Sequence, residues 1–498
     1  MIKIAKIKNS SQDTSKKEID RMYLDYAAQI ADMAGTFTPG SVRTSTATAD
    51  AINNLMMSPE ANYAALSDYT QAIYKENGVV AGNIKYFQSH LTYNHFLYPI
   101  ISGKSNSSLS NANLEEYMKA ANYLEMYRIK YFAPYFVKQT FLNGVSYFYK
   151  ISDSSGVTYM EFPPSMCRIY SHSDGVFRWE VDASKLSNVT SLPKKLSSAI
   201  EKGAPDDPLN DKNWSDDGVY YRVGDEGVAF SLDYSVMSTG GKTNSEFSST
   251  ILDAIRVRRE KDNLEMKDTL DTTKIIHSKI PIDKDGVPQM PSKTAKLYDN
   301  ALKRSLPKGI SGITSPLDIN VINMDKSGNH KVYSSLDKST EQVFMSTGTP
   351  SNLFGASTTS SNIVKLAIQK DANWLFTKVL PLLESYYNYE MSKYKNSSGL
   401  SWRVGFVRQS NFTMKDDVQI VKEGLSNGGS RLMYMASTGL TPSQVFGLLV
   451  SEQQALDIDS IMVPKATSFN TSGSESEKTG RPETDNPTDD TDRISDAT

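Results

Sequence analysis

The sequence predicts an α+β fold, and three observations lead to this prediction. Apolar residues recur at helical spacing through most of the first 142 residues. After Gly144 the spacing becomes that of strands separated by turns, and in the C-terminal half it returns to that of long helices. A chain of 498 residues also allows about three domains, each able to bury a core.

The N-terminal half alternates between these two patterns. Helical periodicity covers 14–34, where Gly35 closes the segment, and it resumes over 62–95 and 113–142. Short runs rich in β-branched and aromatic residues then predict strands at 145–151, 157–162, 166–170 and 176–181. Because turn residues at Asp153–Gly156 and His172–Gly175 separate them, we expect an antiparallel meander. Further strands are predicted at 219–223 and 228–232, beyond a polar insert over 192–217.

The C-terminal half begins with a highly charged helix over 244–271. A small mixed section follows, with a strand at 274–282, a helix at 292–306 and a strand at 317–324. Ser334–Asp337 has the form of a capping box and predicts a helix that Gly348 and Pro350 end. The remaining elements predicted are an apolar helix over 363–394, a strand at 401–407, and helices at 415–425, 430–436 and 441–456.

Composition excludes several classes of protein. The net charge of −3 argues against a basic face that coats nucleic acid. The single cysteine, Cys167, excludes an intramolecular disulfide framework, and five histidines leave little material for zinc. Lysines interrupt the apolar residues of Met1–Lys8, so we expect no secretory signal, and apolar runs of about six residues predict no membrane span.

No arrangement of residues predicts catalysis, a cofactor or a metal. Gly240–Thr243 reads as the end of a phosphate-binding loop, but Val236 stands where that loop requires a glycine, so a turn is expected. His90 and His95 lie five residues apart, which favours aromatic helix packing over a shared metal. Cys167 follows the pattern of a small buried residue in a strand. Adjacent acidic pairs such as Asp206–Asp207 are expected to be solvated.

The charged helix over 244–271 carries two partial apolar stripes with charges between them. A helix of this kind can pack against an identical copy on each side, and such heterologous contacts close into a ring when the rotation permits. The side chains that could pair across these contacts are Arg256, Arg258, Arg259, Glu260, Lys261, Asp262, Glu265 and Asp268. The alternative is an ordinary solvated helix, because exposed ion pairs contribute only about 0 to 1 kcal/mol.

The order of these elements resembles that of the tailed-bacteriophage portal family, ring proteins at the capsid vertex through which DNA enters and leaves. The nearest match is Thr349–Gly355, followed by Asn362 and the helix that carries Pro381. It resembles the family's proline, leucine, glycine and asparagine pattern before its wing helix. Gly480-Arg-Pro482 within an acidic tail adds to the resemblance, which extends from about residue 14 to the end.

The resemblance implies a ring subunit with a helical and β wing, a two-helix stem, a small α/β clip and a helical crown. The implied regions are the wing at 1–243, the first stem helix at 244–273, the clip at 274–331, the second stem helix at 332–349, the channel loop at 350–362, the remaining wing at 363–413, the crown at 414–465 and a disordered acidic tail at 466–498. The tail alone carries eight acidic and three basic residues within 471–498. Pro381 is expected to kink the wing helix.

The segment over 350–362 contains no charged residue, which suits a passage for a sliding polyanion because basic side chains would bind phosphate. Leu353 and Phe354 could instead insert into a DNA groove or pack between neighbouring loops, and a plain flexible linker is the alternative. The full set of channel-loop residues is Ser351, Asn352, Leu353, Phe354, Gly355, Ala356, Ser357, Thr358, Thr359, Ser360, Ser361 and Asn362.

The resemblance also implies the partners. The ring, typically a dodecamer, would pass double-stranded DNA without sequence specificity, and it would meet the terminase, the major capsid protein and head-completion or adaptor proteins. Clip residues proposed for partner binding are Ile280, Ile282, Asp283, Lys284 and Asp285. The protein would be assembled in the bacterial cytoplasm and remain in the virion. Two alternatives stay open: another structural phage protein of the minor head or baseplate, or a metal-dependent nuclease with dispersed carboxylates.

Overall fold

The computed structural model describes residues 49–100, 111–153, 156–186, 192–208, 211–272, 274–279, 310–315, 328–349, 361–395 and 400–452, together with residues 294, 297, 298, 300, 301 and 304. Contacts divide the chain into two units, 1–445 and 446–498. Helices and antiparallel sheets are both present, which confirms the α+β class. The predicted helix over 14–34, the strand at 317–324 and the acidic tail lie outside the described residues.

The described elements follow one another in two groups. The first group consists of α1 (Ala49–Met57), α2 (Tyr63–Glu76), α3 (Gly78–His90), β1 (His95–Ile100), α4 (Asn111–Glu125), α5 (Ile129–Asn143), β2 (Val145–Ser152), β3 (Val157–Phe162), β4 (Cys167–Ser173), β5 (Val176–Asp182), α6 (Ala183–Leu186), α7 (Lys194–Lys202), β6 (Tyr220–Arg222), β7 (Gly227–Ser231) and α8 (Val236–Thr239). The second consists of α9 (Ile251–Thr272), β8 (Lys274–Lys279), β9 (Ile310–Ser315), α10 (Gly328–Thr347), α11 (Ser361–Ser392), β10 (Ser401–Phe406), α12 (Met414–Ser426), α13 (Arg431–Ser437) and α14 (Pro442–Val450).

The central sheet is antiparallel, with strand order β3-β2-β7-β5-β4, and β6 pairs with β5. The two predicted hairpins are present, and Asp174 and Gly175 occupy the left-handed region in the tight turn between β4 and β5. The predicted meander order is wrong, because β7 lies between the two hairpins and separates β3 from β4. Pro163 and the 3₁₀ turn at Pro164–Met166 carry the chain away from β3 without forming a hairpin.

Both faces of this sheet are covered. On one face Phe136 of α5 is fully buried among aromatic rings, with ring centroids 4.7 Å from Phe148 and 4.8 Å from Phe230. Tyr386 of α11 joins the same cluster, 5.4 Å from Phe230. On the other face Tyr147 and its alternate neighbours pack with side chains of α6, α7 and α8. The core is therefore three-layered, with α5 and α11 on one side of the sheet.

Gly144 marks the change from helix to strand that the sequence predicts. It ends α5 with φ 76°, and a Cβ there would lie 2.2 Å from the carbonyl oxygen of Asn244. A left-handed backbone and a close approach thus coincide at one residue, and glycine satisfies both. The same contact brings Asn244, where the sequence predicts the first stem region to start, against the end of α5.

Several helix boundaries differ from prediction for local reasons. The helix expected over 62–95 breaks at Asn77, whose Oδ1 accepts hydrogen bonds from Val79 N (2.9 Å) and Val80 N (3.4 Å) and so begins α3. The helix expected from residue 244 begins instead at Ile251. Ser245 Oγ donates to Phe141 O (2.6 Å) and accepts from Phe247 N (3.0 Å), which fixes the preceding residues in a turn.

A second sheet, β1 with β10, was not predicted as such. The two strands pair antiparallel from His95 opposite Phe406 to Ile100 opposite Ser401. Asn388 of α11 donates to Val404 O (3.2 Å) and accepts from Val404 N (2.8 Å), which ties the sheet to the long helix. No helix in the part of the chain described is both long and apolar enough to cross a membrane.

Pro381 lies inside α11, as predicted, and its side chain is exposed. A proline there removes one backbone donor and leaves the carbonyl of Thr377 without its usual helical partner. The helix nevertheless continues to Ser392, because the buried side chains of Leu380, Leu383 and Tyr387, on either side of Pro381, hold it on the sheet and on β10. Packing therefore compensates for the missing hydrogen bond.

Acid is expected to destabilise the fold through two buried histidines. Burial lowers the pKa of His90 and of His95 to about 4, whereas an unfolded histidine titrates near pH 6.5. Between these values the unfolded chain binds more protons, so this stabilisation is complete above pH 6.5 and is lost as the pH falls towards 4. Each histidine should lower the free energy of unfolding by about 2 kcal/mol at pH 5.

The matched measurement compares the free energy of unfolding of the wild type and His95→Gln at pH 7 and pH 5. Glu161 contributes in the opposite direction, because burial raises its pKa to about 7 and its stabilisation is lost as the pH rises. Because the wild type and His95→Gln both contain Glu161, its contribution to the pH dependence is the same in both and cancels when they are compared. His172→Gln, at an exposed position, is the control. If His95→Gln loses as much stability as the wild type between the two pH values, His95 is not the group responsible.

Candidate functional site

Helices α9 and α10 lie side by side and form the pair assigned to the stem. Arg256 Nη1 of α9 donates to Gln342 Oε1 of α10 at 3.2 Å. Apolar side chains are buried at the end of the pair where α9 begins and α10 finishes, namely Ile251, Ala254, Ile255 and Val257 of α9 and Val343 and Phe344 of α10. This end of the pair is therefore fixed to the helices beside it.

A strand–helix–strand unit connects the other ends of the two helices. β8 follows α9 almost directly, and it pairs in parallel with β9, from Lys274 opposite Ile310 to Lys279 opposite Ser315. The described residues between them that fall in the predicted helix are helical, including Thr294, Leu297 and Ala301. Parallel neighbours need such a crossover. β9 was not predicted, and the clip residues Ile280, Ile282, Asp283, Lys284 and Asp285 lie outside the described residues.

The charged part of α9 has little cover within the single chain. None of the side chains from Arg258 to Glu265 is buried, and Arg259, Lys261 and Asp262 are exposed. Arg258 forms an ion pair with Glu76 of α2, and Arg256 lies 3.7 Å from Asp253 on its own helix. Of the predicted stem residues, Arg256 and Arg258 thus bind within the subunit, and Arg259, Lys261 and Asp262 face outward. The side chain of Asp268 lies outside the described residues.

A groove of about 470 Å³ separates α9 from the end of α2. Ile73 and Ile255 contribute apolar walls, while Lys261 and the ion pair of Arg258 with Glu76 line its edge. Asn77 Nδ2 donates to Ala254 O at 3.4 Å across the base of the groove. The groove continues the outward-facing side of α9 and belongs to the same surface.

A second cleft, of about 270 Å³, lies where α10 ends and α11 passes. It is lined by Phe87, Phe141, Glu246, Phe247, Thr347, Gly348, Lys370, Asp371 and Trp374. The four aromatic rings contact one another, and the rings of Phe141 and Trp374 stack with centroids 6.0 Å apart. Asp371 is 7% exposed, and burial raises the pKa of its carboxyl group. The cleft thus combines an aromatic wall with acidic groups.

The segment predicted as a channel loop follows this cleft in the chain and precedes α11. Residues 350–360 lie outside the described residues. The predicted loop extends too far at its end, because Ser361 and Asn362 are the first residues of α11, where Asn362 is exposed. Thr349, the last described residue before it, is buried with its N–H bonded to Phe344 O at 3.1 Å. Two exposed apolar residues, Ile363 and Leu366, begin α11. The ends of the loop are therefore fixed on α10 and α11.

Cys167, His90 and His95 could be considered as catalytic groups or metal ligands, but each is buried in surroundings that indicate a structural role. Burial raises the pKa of the Cys167 thiol well above its ordinary value, so a reactive thiolate is disfavoured. His90 Nδ1 lies 2.8 Å from Ser410 Oγ, and His95 Nδ1 lies 3.1 Å from Tyr93 O, with both imidazoles buried. Within the described ranges no group of three or more His, Cys, Asp or Glu side chains is placed to hold a metal ion.

Gly240–Thr243 has the geometry of a turn. Gly240 and Gly241 both have positive φ, and Gly240 ends the short helix α8. A phosphate-binding loop requires the reverse order, because it leads from a strand into the N-terminus of a helix. Gly240 O instead accepts a hydrogen bond from Ile169 N at 3.2 Å, so the turn covers the edge of β4.

Comparison of the chain with protein-family models and with curated proteins finds no match.

Sequence reasoning did not find the cleft at Asp371. Its residues come from five elements or turns between Phe87 and Trp374, and no spacing in the sequence links them. One weak indication was available. Asp371 stands at helical spacing between Ile368 and Trp374 on α11, and a carboxylate in line with such apolar residues needs a partner or a polar environment.

Proposed function

We propose that this chain is the subunit of a portal ring, the conduit for DNA at the vertex of a tailed-bacteriophage capsid. The ring would form from identical copies, with α9 and α10 as the stem and β8, β9 and the residues between them as the clip. The protein would act as a passage and a docking platform and would carry out no chemistry of its own. It would be assembled in the bacterial cytoplasm and remain in the virion.

The exposed length of α9 carries this proposal. The helix extends to Thr272, 15 residues and about 22 Å beyond Val257, and its described side chains after Val257 are not buried. An isolated helical segment with this much polar surface gains little from propensity alone and depends on tertiary packing. Copies of the same helix on each side would supply that packing, and its mixed charges would pair across the contacts.

The order of elements adds support. A charged helix, a strand–helix–strand unit, a second helix, an uncharged segment and a 32-residue helix with an internal proline follow one another from Ile251 to Ser392. This is the order of stem, clip, stem, channel loop and wing helix in the portal family that the sequence resembles. The proline keeps its position inside the long helix, 19 residues after Asn362.

The partners follow from the assignment of regions. Double-stranded DNA would pass the uncharged loop at 350–362, where few basic groups would retain phosphate. The clip would bind the terminase during packaging and head-completion or adaptor proteins afterwards, while the wing would contact the major capsid protein. The crown, beginning at α12, would face the packaged genome. A dodecamer is the ring size that the resemblance implies.

Imaging of the purified 498-residue chain tests the proposal. We expect light scattering to give a mass of many subunits and negative-stain images to show rings with an axial hole wide enough for a duplex. A chain that stays a single copy when concentrated, or assemblies without an axial opening, would contradict the proposal. Metal-dependent cleavage of DNA by a single copy would favour the nuclease, whereas assemblies with no opening would favour another structural phage protein.

A further inference from the structure

The cleft between α10 and α11 holds a buried carboxylate that forms no ion pair with the described residues. Tyr86 OH donates to Asp371 Oδ2 at 3.0 Å, and no ion pair with a described basic residue reaches Asp371. Lys370 lines the same cleft, and its charge acts to lower the pKa of Asp371 against the larger effect of burial, but its side chain is exposed and forms no ion pair with Asp371 or Glu246. A buried carboxylate without a cation is costly, because water no longer solvates it.

The walls of the cleft restrict what could balance this charge. Phe87, Phe247 and Trp374 present aromatic rings beside the carboxylate, and aromatic faces attract cations. Glu246, an exposed residue on the turn before α9, adds a second acidic group to the lining. The volume of about 270 Å³ suits one side chain or a small ion and is below that of sites for larger organic ligands.

We propose that the cleft binds the guanidinium or ammonium group of an arginine or lysine side chain from a second copy of this chain. The inference rests on the ring proposed above, since the ring supplies the second copy. The chain offers suitable donors, because Lys415, Lys422 and Arg431 are exposed and form no ion pair with described residues. An arginine there would pair with Asp371 and stack on Trp374, and either contact would be stronger in a cleft that excludes water.

The position of the cleft gives this contact a role. Gly348, at its edge, lies two residues before the channel segment, and Asp371 lies nine residues after Asn362 on α11. A cation bound there would tie the neighbouring subunit to the helix on which the loop ends. The contact would therefore fix the base of each loop relative to the next subunit, while the exposed face of α9 provides a separate contact.

The test compares the assembly of wild type, Asp371→Asn and Glu201→Gln by mass photometry, over concentrations at which the wild type is part single copy and part assembled. Asp371→Asn keeps the shape of the side chain and removes its charge. Glu201→Gln makes the same change in net charge at an exposed site on α7. We expect Asp371→Asn to raise the concentration for half-assembly at least tenfold and Glu201→Gln to leave it unchanged.

A second measurement separates this effect from misfolding. Removing an unbalanced buried charge should leave the thermal midpoint of the single copy unchanged or raise it, so weaker assembly would not reflect an unfolded chain. Millimolar arginine amide should also weaken wild-type assembly more than sodium chloride at equal ionic strength. Assembly of Asp371→Asn that equals the wild type would overturn the cation contact while leaving the ring intact. A wild type that never assembles would overturn both.

Discussion

Charge reversal on α9 is expected to convert the proposed ring to single copies. The variant combines Arg259→Glu with Lys261→Glu, two exposed side chains that form no ion pair with described residues. Each would place a like charge opposite the acidic residues of a neighbouring helix, among them Asp262 and Glu265. Because a closed ring repeats one contact at every interface, a modest repulsion acts at all of them at once. Light scattering should therefore give the mass of one subunit.

The matched control carries the same charge change on α7, as Lys194→Glu with Lys202→Glu, where both side chains are exposed. It should assemble as the wild type does. High salt should restore part of the assembly of the α9 variant, because repulsion between exposed charges is screened. Far-ultraviolet circular dichroism should be unchanged, since neither residue contributes to the core. Rings that form normally from the α9 variant would remove this face of α9 from the subunit contact.

Loss of the carboxylate of Glu390 is expected to destabilise the fold by about 3 to 5 kcal/mol. Glu390, 1% exposed on α11, accepts hydrogen bonds from Tyr127 OH (2.8 Å), Lys150 Nζ (2.5 Å) and Lys393 Nζ (2.9 Å). It thereby joins α11 to β2 and to the turn between α4 and α5. In Glu390→Gln the ammonium of Lys150 stays buried without a counter-charge, which is the costly outcome. Burial already lowers the pKa of Lys150.

Chemical denaturation of three variants checks this expectation. Glu390→Gln should show the full loss of free energy of unfolding, and the double variant Lys150→Met with Glu390→Leu should recover a large part of it because no charge remains buried. Glu115→Gln breaks an exposed pair with Lys119 and should leave the unfolding midpoint unchanged. Equal stability of wild type and Glu390→Gln would show that the network contributes nothing to the fold.

Local chemistry explains which elements the sequence predicts well. The hairpins around residues 153–156 and 172–175 depend on glycine and short polar residues, and the switch at Gly144 depends on a left-handed backbone. The helices α11 and α12 begin and end within three residues of their predicted bounds, because a long apolar period and nearby turn residues define them. Signals of this kind act over a few residues and are visible in the chain alone.

Long-range pairing explains the errors. The strand β1 pairs with β10 some 300 residues later, and β7 enters between two hairpins that are complete without it. The start of α9 at Ile251 depends on a bond from Ser245 to Phe141 O on another helix. None of these partners lies within the stretch of neighbouring residues over which hydrophobic periodicity is judged. Secondary structure was therefore predicted more accurately than sheet order or exact boundaries.

The sequence by itself determined the α+β class, the two hairpins and the long helix with Pro381, because each follows from residue spacing and turn chemistry. It also indicated a charged helix that a single copy covers poorly. Only the tertiary structure decided which charges are buried, joining Glu390 to Lys150 and leaving Asp371 beside four aromatic rings. The reason is physical: the free energy of a charge depends on the solvent and partners around it, and folding brings those partners from distant parts of the chain.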